Sequence, residues 1–158
     1  RNANATLFVS LHADSLGHRD LRGASVYTLS ETASDEEAGR LAAKENKADI
    51  LAGADLSHQD PVVASILIDL AQRDTNNRSI ELADRLVGEL GKVTRLIRNH
   101  RRYAGFAVLK SPDTPSVLVE LGYLSSLHDA KSLSDTRHRQ ELARAIIRAV
   151  DRYLGVVR

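Results

Sequence analysis

The sequence predicts an α/β fold in which helices flank a mixed or mostly parallel sheet. Apolar strand candidates alternate with amphipathic helix candidates along the chain, and one strand candidate is apolar on both alternating faces. A chain of 158 residues is long enough for one domain with a substantial core and too short for two of ordinary size. We therefore interpret residues 1–158 as a single domain.

Two strand candidates lie in the first 30 residues, and polar residues follow each of them. Residues 6–11 form a β-branched and apolar run that ends at His12, and Asp14 follows two positions later. Residues 24–29 form a second run, placed after Gly23 and before a polar stretch. The first strand is thus expected to deliver polar side chains at its end.

Helix signals fill the middle of the chain. Ser34 and Glu37 have the spacing of a capping box, which predicts a helix from there to about Leu51. Asp60 followed by Pro61 predicts the start of a second helix. Its apolar spacing continues to about Gly91 and fits either one long helix or two.

Two more strands and a closing helix are predicted in the last third. We expect strands at residues 105–110 and 117–119, and an amphipathic helix whose apolar face runs from about residue 142 to residue 154. Residues 92–102 carry five basic side chains and no acidic one. That stretch fits contact with an anionic polymer or, in our interpretation, a solvated helix end.

Composition excludes several classes of function. The residues are 42% hydrophobic and 27% charged, as in globular domains, and no apolar run is long enough to span a membrane. The net charge is +1, so no overall field attracts the chain to nucleic acid or anionic lipid. Because cysteine is absent, thiolate chemistry is excluded and any metal must be held by His, Asp or Glu.

Three polar residues at strand ends are the candidates for chemistry. Glu120 closes a strand that is apolar on both faces, where a carboxylate must be paired, protonated or exposed at a cleft. Ligands of α/β sheets collect at the carboxyl ends of strands, so His12 is the second candidate and Asp14 could orient its imidazole. The alternatives are a surface glutamate, a structural histidine and a turn-capping aspartate. Four further histidines are interpreted as surface residues: His58, His100, His128 and His138.

Four segments together resemble one enzyme family: residues 7–14 (LFVSLHAD), 23–27 (GASVY), 105–109 (GFAVL) and 115–125 (PSVLVELGYLS). These segments are similar to those of the zinc-dependent N-acetylmuramoyl-L-alanine amidases. Such enzymes cut the amide bond between the muramic acid lactyl group and the first L-alanine of the peptidoglycan stem. The resemblance implies a phosphorylase/hydrolase-like catalytic domain that uses Zn²⁺, with His12 as a zinc ligand and Glu120 as the catalytic glutamate.

The resemblance also implies that an upstream part of the catalytic domain is missing. The family completes its zinc site with a histidine in a Gly-His-Gly-Gly segment and a glutamate shortly after it, and neither has a counterpart in this sequence. The chain also starts at Arg1, without methionine or a signal segment, which indicates a processed or excised piece. We therefore expect the later part of an amidase domain.

Residues 30–60 resemble the inserted regulatory segment of the cell-division amidases of Gram-negative bacteria. In those enzymes an acidic side chain from an inserted helix blocks the zinc site. By position Glu45 is the expected inhibitory ligand, and an ordinary surface glutamate is the alternative. The relatives are activated by LytM-type proteins, for which Ile50, Leu51 and Leu56 could form a docking surface.

The expected function is therefore septal cell-wall splitting in the periplasm by an autoinhibited zinc amidase. The expected partners are peptidoglycan and a LytM-type activator, without nucleic acid or a membrane span, and the expected state is a monomer. Two alternatives remain at this point. One is a zinc peptidase that acts on ordinary peptides, and the other is a non-catalytic module that binds peptidoglycan or the activator.

Overall fold

A computed structural model describes residues 5–15, 21–51 and 65–156 of the chain. Its four strands form one sheet in the order β1-β4-β2-β3. They are β1 (Phe8–His12), β2 (Ala24–Leu29), β3 (Leu96–Ala104) and β4 (Ser116–Glu120). The helices are α1 (Glu36–Leu51), α2 (Ser65–Leu90), α3 (Leu127–Ser134) and α4 (Thr136–Tyr153), with a 3₁₀ turn at Ala107–Leu109.

The sheet is mixed, which confirms the predicted fold class. Strand β1 runs parallel to β4, and β2 runs parallel to β3, whereas β2 and β4 are antiparallel. As a result, β1 and β4 end at the same edge of the sheet at which β2 and β3 begin. We call this the upper edge. In the register of the sheet, His12 lies opposite Glu120 on one side and Ser25 lies opposite Glu120 on the other.

The sheet separates two hydrophobic cores. Helices α2 and α4 pack on one face, where Val117 and Val119 of β4 meet a leucine row of α2. Helix α1 covers the other face, where Leu118 joins the second core. Because side chains alternate along a strand, Glu120 points to the same side as Leu118. Strand β4 is buried along its whole length, which confirms the prediction of a strand covered on both faces.

Leucines in the last third of α2 pack this helix against the sheet. Leu82, Leu86 and Leu90 recur every four residues and are all completely buried, so one stripe of the helix faces the sheet. Between Ser65 and Leu90 the chain is a single helix rather than two. Its predicted start at Asp60 and Pro61 lies outside the described residues. None of the helices in the described ranges is long and apolar enough to cross a membrane.

The caps of the helices differ in one place from the sequence prediction. The side chain of Asp35, rather than that of Ser34, accepts the hydrogen bond from the Ala38 backbone N–H, at 2.9 Å, so α1 begins one residue after Asp35. Helix α4 begins as α1 does, because Asp135 accepts a bond from the Arg137 N–H at 2.9 Å. The predicted closing helix is confirmed, with Leu142, Ala145 and Ala149 buried.

The prediction for the segment between α2 and β4 was wrong. The strand β3 spans Leu96–Ala104, within the basic stretch that we had interpreted as a helix end, whereas the expected strand at residues 105–110 contains a 3₁₀ turn. Strand β3 was not predicted because its sequence is rich in basic residues. Most of these side chains are exposed, since β3 is an edge strand of the described sheet and pairs there with β2 alone. The exception is Arg102, which is buried and ion-paired with Asp35 and Glu37.

Candidate metal and catalytic site

The upper edge of the sheet brings together His12, Asp14 and Glu120. One potential ligand atom from each of the three lies within 4.8 Å of the other two. Backbone hydrogen bonds fix this arrangement: the Leu121 N–H donates to the carbonyl of His12 at 2.9 Å, and the Leu124 N–H donates to that of Asp14 at 2.7 Å. The three candidates that the sequence placed at strand ends therefore share one site.

Glu120 is a completely buried carboxyl group. Its Oε1 accepts a hydrogen bond from the Asp14 backbone N–H at 2.7 Å, while its Oε2 has no hydrogen-bond partner in the described part of the chain. Burial raises the pKa of Glu120 to about 8, and the nearby carboxylates of Asp14 and Glu45 act in the same direction.

The imidazole of His12 faces two carboxylates. Its Nδ1 lies 3.5 Å from Oδ2 of Asp14 and 3.4 Å from Oε2 of Glu45. The other ring nitrogen, Nε2, lies 2.9 Å from the hydroxyl of Ser10, two residues earlier on the strand. Nδ1 is therefore the nitrogen that points into the site.

Helix α1 lies over this site and contributes two charged side chains. Glu45, predicted as the inhibitory residue, is 18% exposed and contacts His12. The adjacent Lys44 forms an ion pair with Asp14, whose hydrogen bond raises the pKa of Lys44. Glu45 is thus a member of the site in this structure rather than an isolated surface glutamate.

The donor set of the site fits a divalent cation such as zinc. Three carboxyl groups and an imidazole converge, with Lys44 as the nearby cation. Among the described residues, Oδ2 of Asp14 and Oε2 of Glu120 are both buried without a hydrogen bond. Buried carboxylate oxygens that accept no hydrogen bond and lie beside an imidazole are a suitable set of first contacts for Zn²⁺.

Sequence reasoning missed a polar network on the neighbouring strands. The Tyr27 hydroxyl lies 3.3 Å from that of Tyr123 and accepts a hydrogen bond from Arg102 at 3.0 Å. Burial raises the pKa of both tyrosines. The alternation of β2, which puts Tyr27 and Ser25 on the side of Glu120, was the available signal for the first tyrosine. No local pattern marks Arg102.

The remaining sequence candidates are placed as follows. Ile50 and Leu51 belong to the last turn of α1, but their side chains and the whole of Leu56 lie outside the described part of the chain. Of the histidines interpreted as surface residues, His128 is exposed, whereas His100 and His138 are half-buried; His58 lies outside the described residues.

Known proteins that are similar to this chain in sequence include N-acetylmuramoyl-L-alanine amidases. A family model described as N-acetylmuramoyl-L-alanine amidase matches residues 1–152. The amidase AmiA of Escherichia coli is 37% identical over 150 residues, which are 94% of this chain and 52% of AmiA. AmiC of Escherichia coli is 35% identical over 152 residues, which are 96% of this chain and 36% of AmiC. The chain therefore spans between about a third and about half of the length of these relatives.

The fold is shared with solved amidase structures. The CwlD amidase from Clostridioides difficile, solved in complex with the GerS lipoprotein, superimposes with a TM-score of 0.62 and 22% sequence identity. The match covers 99% of this chain and 58% of CwlD. The family match over nearly the whole chain, the identity to AmiA and AmiC and the common fold agree. The chain belongs to the N-acetylmuramoyl-L-alanine amidase family.

Proposed function

We propose that this protein hydrolyses the amide bond between N-acetylmuramic acid and L-alanine in peptidoglycan with the help of Zn²⁺. The observation that carries the proposal is the convergence of His12 and the buried, partly unpaired Glu120 at one sheet edge, in a chain of the amidase family. The similarity to AmiA and AmiC supports the same substrate. It also motivates the proposal of a periplasmic enzyme that splits the septal wall during division.

The site residues take separate roles in this proposal. His12, through Nδ1, would hold the zinc ion, which would lower the pKa of a bound water and polarise the scissile carbonyl. Glu120 acts as general base: its carboxylate takes a proton from the attacking water and then delivers it to the leaving nitrogen of L-alanine. Asp14 positions both residues, because its N–H fixes Oε1 of Glu120 and its carboxylate lies beside the imidazole.

The substitution Glu120→Gln tests the catalytic assignment. In the full-length protein we expect it to lower the release of stem peptides from purified peptidoglycan by about 10²-fold or more, the usual contribution of a general base, while the bound zinc is retained. Mass spectrometry of the soluble products and elemental analysis are the readouts. The control is Glu141→Gln, an exposed position on α4. Near wild-type release by the Glu120 variant would overturn the assignment.

The same products separate the alternatives. An amidase frees stem peptides that begin with L-alanine and leaves the glycan strands intact. A zinc peptidase would instead cut within the stem. A binding module would sediment with peptidoglycan and release nothing.

We further propose that α1 holds the enzyme in an inhibited state. Glu45 approaches His12 from above the site, at 3.4 Å, where it would serve as an additional zinc ligand and exclude the substrate. The ion pair of Lys44 with Asp14 fastens the same helix turn to the upper edge. Release of α1 by a LytM-type activator, as in the cell-division amidases that the sequence resembles, would open the site.

Glu45→Gln tests this inhibition. Removing the charge weakens the contact of α1 with the site, so we expect the activator-free rate of the full-length enzyme to rise about tenfold, which corresponds to about 1.4 kcal/mol. Glu36→Gln is the matched control, since Glu36 lies on the same helix with its side chain 80% exposed. A basal rate of the Glu45 variant equal to or below that of the wild type would contradict the proposal.

A further inference from the structure

A second concave site lies on the upper edge of the sheet, beside the site of Glu120. Its volume is about 290 Å³, and we call it the arginine pocket. Arg22 and Arg95 line it from the segments just before β2 and β3, and His128 and His138 line it from α3 and α4. Leu121 also lines the pocket, and it directly follows Glu120 in the chain. One strand end therefore contributes consecutive residues to both sites.

The two sites face opposite sides of the sheet edge. Glu120 points toward the face covered by α1, whereas Leu121 packs against the core of α2 and α4. Both sites include residues from the end of β4, so a ligand that extends over this strand end would contact both. A polymer with a peptide branch is a ligand of that kind.

The arginine pocket carries an excess of positive charge, because Arg22 and Arg95 line it together with one aspartate, Asp129. Within the described part of the chain, neither Arg22 nor Arg95 forms an ion pair, in contrast to Arg101 with Asp84 and Arg148 with Glu89. Asp129 is the acidic residue among the described lining residues.

The carboxylate of Asp129 is already engaged with the backbone. Its Oδ2 accepts hydrogen bonds from the N–H of Gly23 at 2.8 Å and from that of Tyr123 at 3.0 Å. These bonds join the start of β2 to the end of β4 and so build the wall of the pocket. Among the described residues Asp129 forms no ion pair with Arg22 or Arg95, so the two guanidinium groups are available to a ligand.

The chemistry of the pocket suits a carboxylate on a small aliphatic group. A guanidinium matches a carboxylate with two parallel hydrogen bonds. The apolar side chains of Val93, Leu121 and Leu133 complete the lining and would contact short aliphatic side chains.

We propose that the arginine pocket binds a carboxylate group of the peptide stem while the scissile amide lies at Glu120. This inference rests on the proposed amidase function. Binding of the stem at a distance from the reacting bond would hold the amide in place and exclude stems whose carboxylates are blocked.

Peptide binding tests the pocket without using catalysis. The probes are tetraalanine with a free carboxyl terminus and tetraalanine amide, titrated into the full-length protein while the ring signals of His128 and His138 are followed by NMR. We expect the free acid to shift these signals and to bind about tenfold more tightly than the amide, in line with a charge-assisted pair. We expect Arg22→Ala and Arg95→Ala to remove that preference.

The control variant is Arg98→Ala, an exposed arginine of β3 outside the pocket, which should leave the preference unchanged. Equal binding of the two peptides, or a preference that survives both pocket substitutions, would overturn the proposal. Tighter binding of inorganic phosphate than of the free peptide would also overturn it, because the pocket would then be a phosphate site.

Hydrolysis separates this proposal from the proposed function. In the peptidoglycan assay the two pocket variants should lower kcat/KM about tenfold, the factor by which they weaken carboxylate binding, without abolishing cleavage. If the protein cleaved no amide at all, the proposed function would fail and the peptide preference would still be measurable. If amide cleavage occurred without any peptide preference, only the pocket proposal would fail.

Discussion

Gly122 determines the course of the chain immediately after Glu120. Its φ of +152° lies in the region that residues with a side chain rarely adopt. A Cβ atom at this position would lie 3.1 Å from Oδ2 of Asp129. That oxygen accepts the backbone hydrogen bonds of Gly23 and Tyr123, so it has little freedom to move. Gly122 thus allows the chain to turn directly after Glu120 of the candidate catalytic site and Leu121 of the arginine pocket.

Gly122→Ala is expected to destabilise the protein by about 2 kcal/mol, because it combines backbone strain with a displaced carboxylate. Urea unfolding measures the effect. Gly88→Ala is the matched control: Gly88 lies in α2 with no atom within 4 Å of a Cβ built there, so this change should stabilise by up to about 1 kcal/mol. Equal stability of the Gly122 variant and the wild type would contradict this account of the turn.

Residues of the site differ in how far the sequence alone could place them. His12 and Glu120 were predictable as strand ends because the runs before them are apolar, and Asp14 followed from the two-residue period of a strand. Lys44 reaches Asp14 across 30 residues of sequence, and Arg102 reaches Asp35 across 67. Such pairs depend on how separate elements pack, and local patterns do not contain that information.

At the scale of elements, α1 is joined to β3 by one buried arginine. The guanidinium of Arg102, 3% exposed, pairs with Asp35 and Glu37 at the start of α1. It also donates a hydrogen bond to the Tyr27 hydroxyl, and its central carbon lies 5.4 Å from the centre of that ring. The start of the proposed inhibitory helix is therefore fixed to the sheet, while the turn that contains Lys44 and Glu45 contacts the site.

Arg102→Lys is expected to lower the free energy of unfolding by about 2 kcal/mol. A lysine keeps the charge but cannot form the forked hydrogen bonds with Asp35 and the bond with Tyr27 at once. The neighbouring change Arg101→Lys should cost less than about 0.5 kcal/mol, because Arg101 is 48% exposed in its pair with Asp84. Thermal unfolding of the two variants compares them directly, and equal losses would refute a special role for Arg102.

The polar composition of β3 explains why this strand was not predicted from the sequence. Strand prediction depends on apolar or alternating residues, and β3 is rich in arginine and polar side chains. The charges are tolerated because the strand is at the edge of the sheet and its buried arginine is paired. The apolar run at residues 105–110, which looked more like a strand, packs Phe106 and Leu109 into the second core from a turn instead.

At the scale of the whole molecule, a charged cluster connects the two long helices behind the sheet. Glu89, near the end of α2, is 3% exposed and binds Lys92 at 2.6 Å and Arg148 of α4 at 2.9 Å, together with Arg152. Lys92 and then Arg148 make the largest contributions to lowering the pKa of Glu89 to about 2, with further help from Arg152. The ionised carboxylate therefore favours the folded state.

The contribution of Glu89 should disappear in acid. Its ordinary pKa is 4.5, so the stabilisation is present above that value and is lost as the pH falls from 4.5 toward 2. We expect Glu89→Gln to cost about 1 to 2 kcal/mol at about pH 7, discounted because the three cations are half-exposed, and less than about half of that at about pH 3. Urea unfolding of the wild type and the variant at both pH values measures the difference.

Glu81→Gln is the control for this pH dependence, because Glu81 is 57% exposed in a pair with Arg85 on the same helix. It should change stability little at either pH. A loss for the Glu89 variant that is as large in acid as at neutral pH would contradict the electrostatic explanation.

The fold class was predictable from the sequence, whereas the strand order was not. Alternation of strand and helix patterns identifies an α/β domain, and the two-sided apolar run identified β4 as a central strand. The antiparallel contact of β2 with β4 has no local signature, because it joins residues that lie more than 90 positions apart in the sequence.

The position of β4 in the sheet determines when the candidate site can assemble during synthesis. The ribosome completes β4 last among the described strands, yet β4 lies between β1 and β2. Until it is inserted, those two strands have no common partner, and Asp14 remains separated from Glu120, 106 residues further along. Closing so long a loop is slow compared with forming a helix. A chain that ends before Glu120 therefore cannot assemble the candidate site, so the proposed activity would require the polypeptide to be made past Glu120.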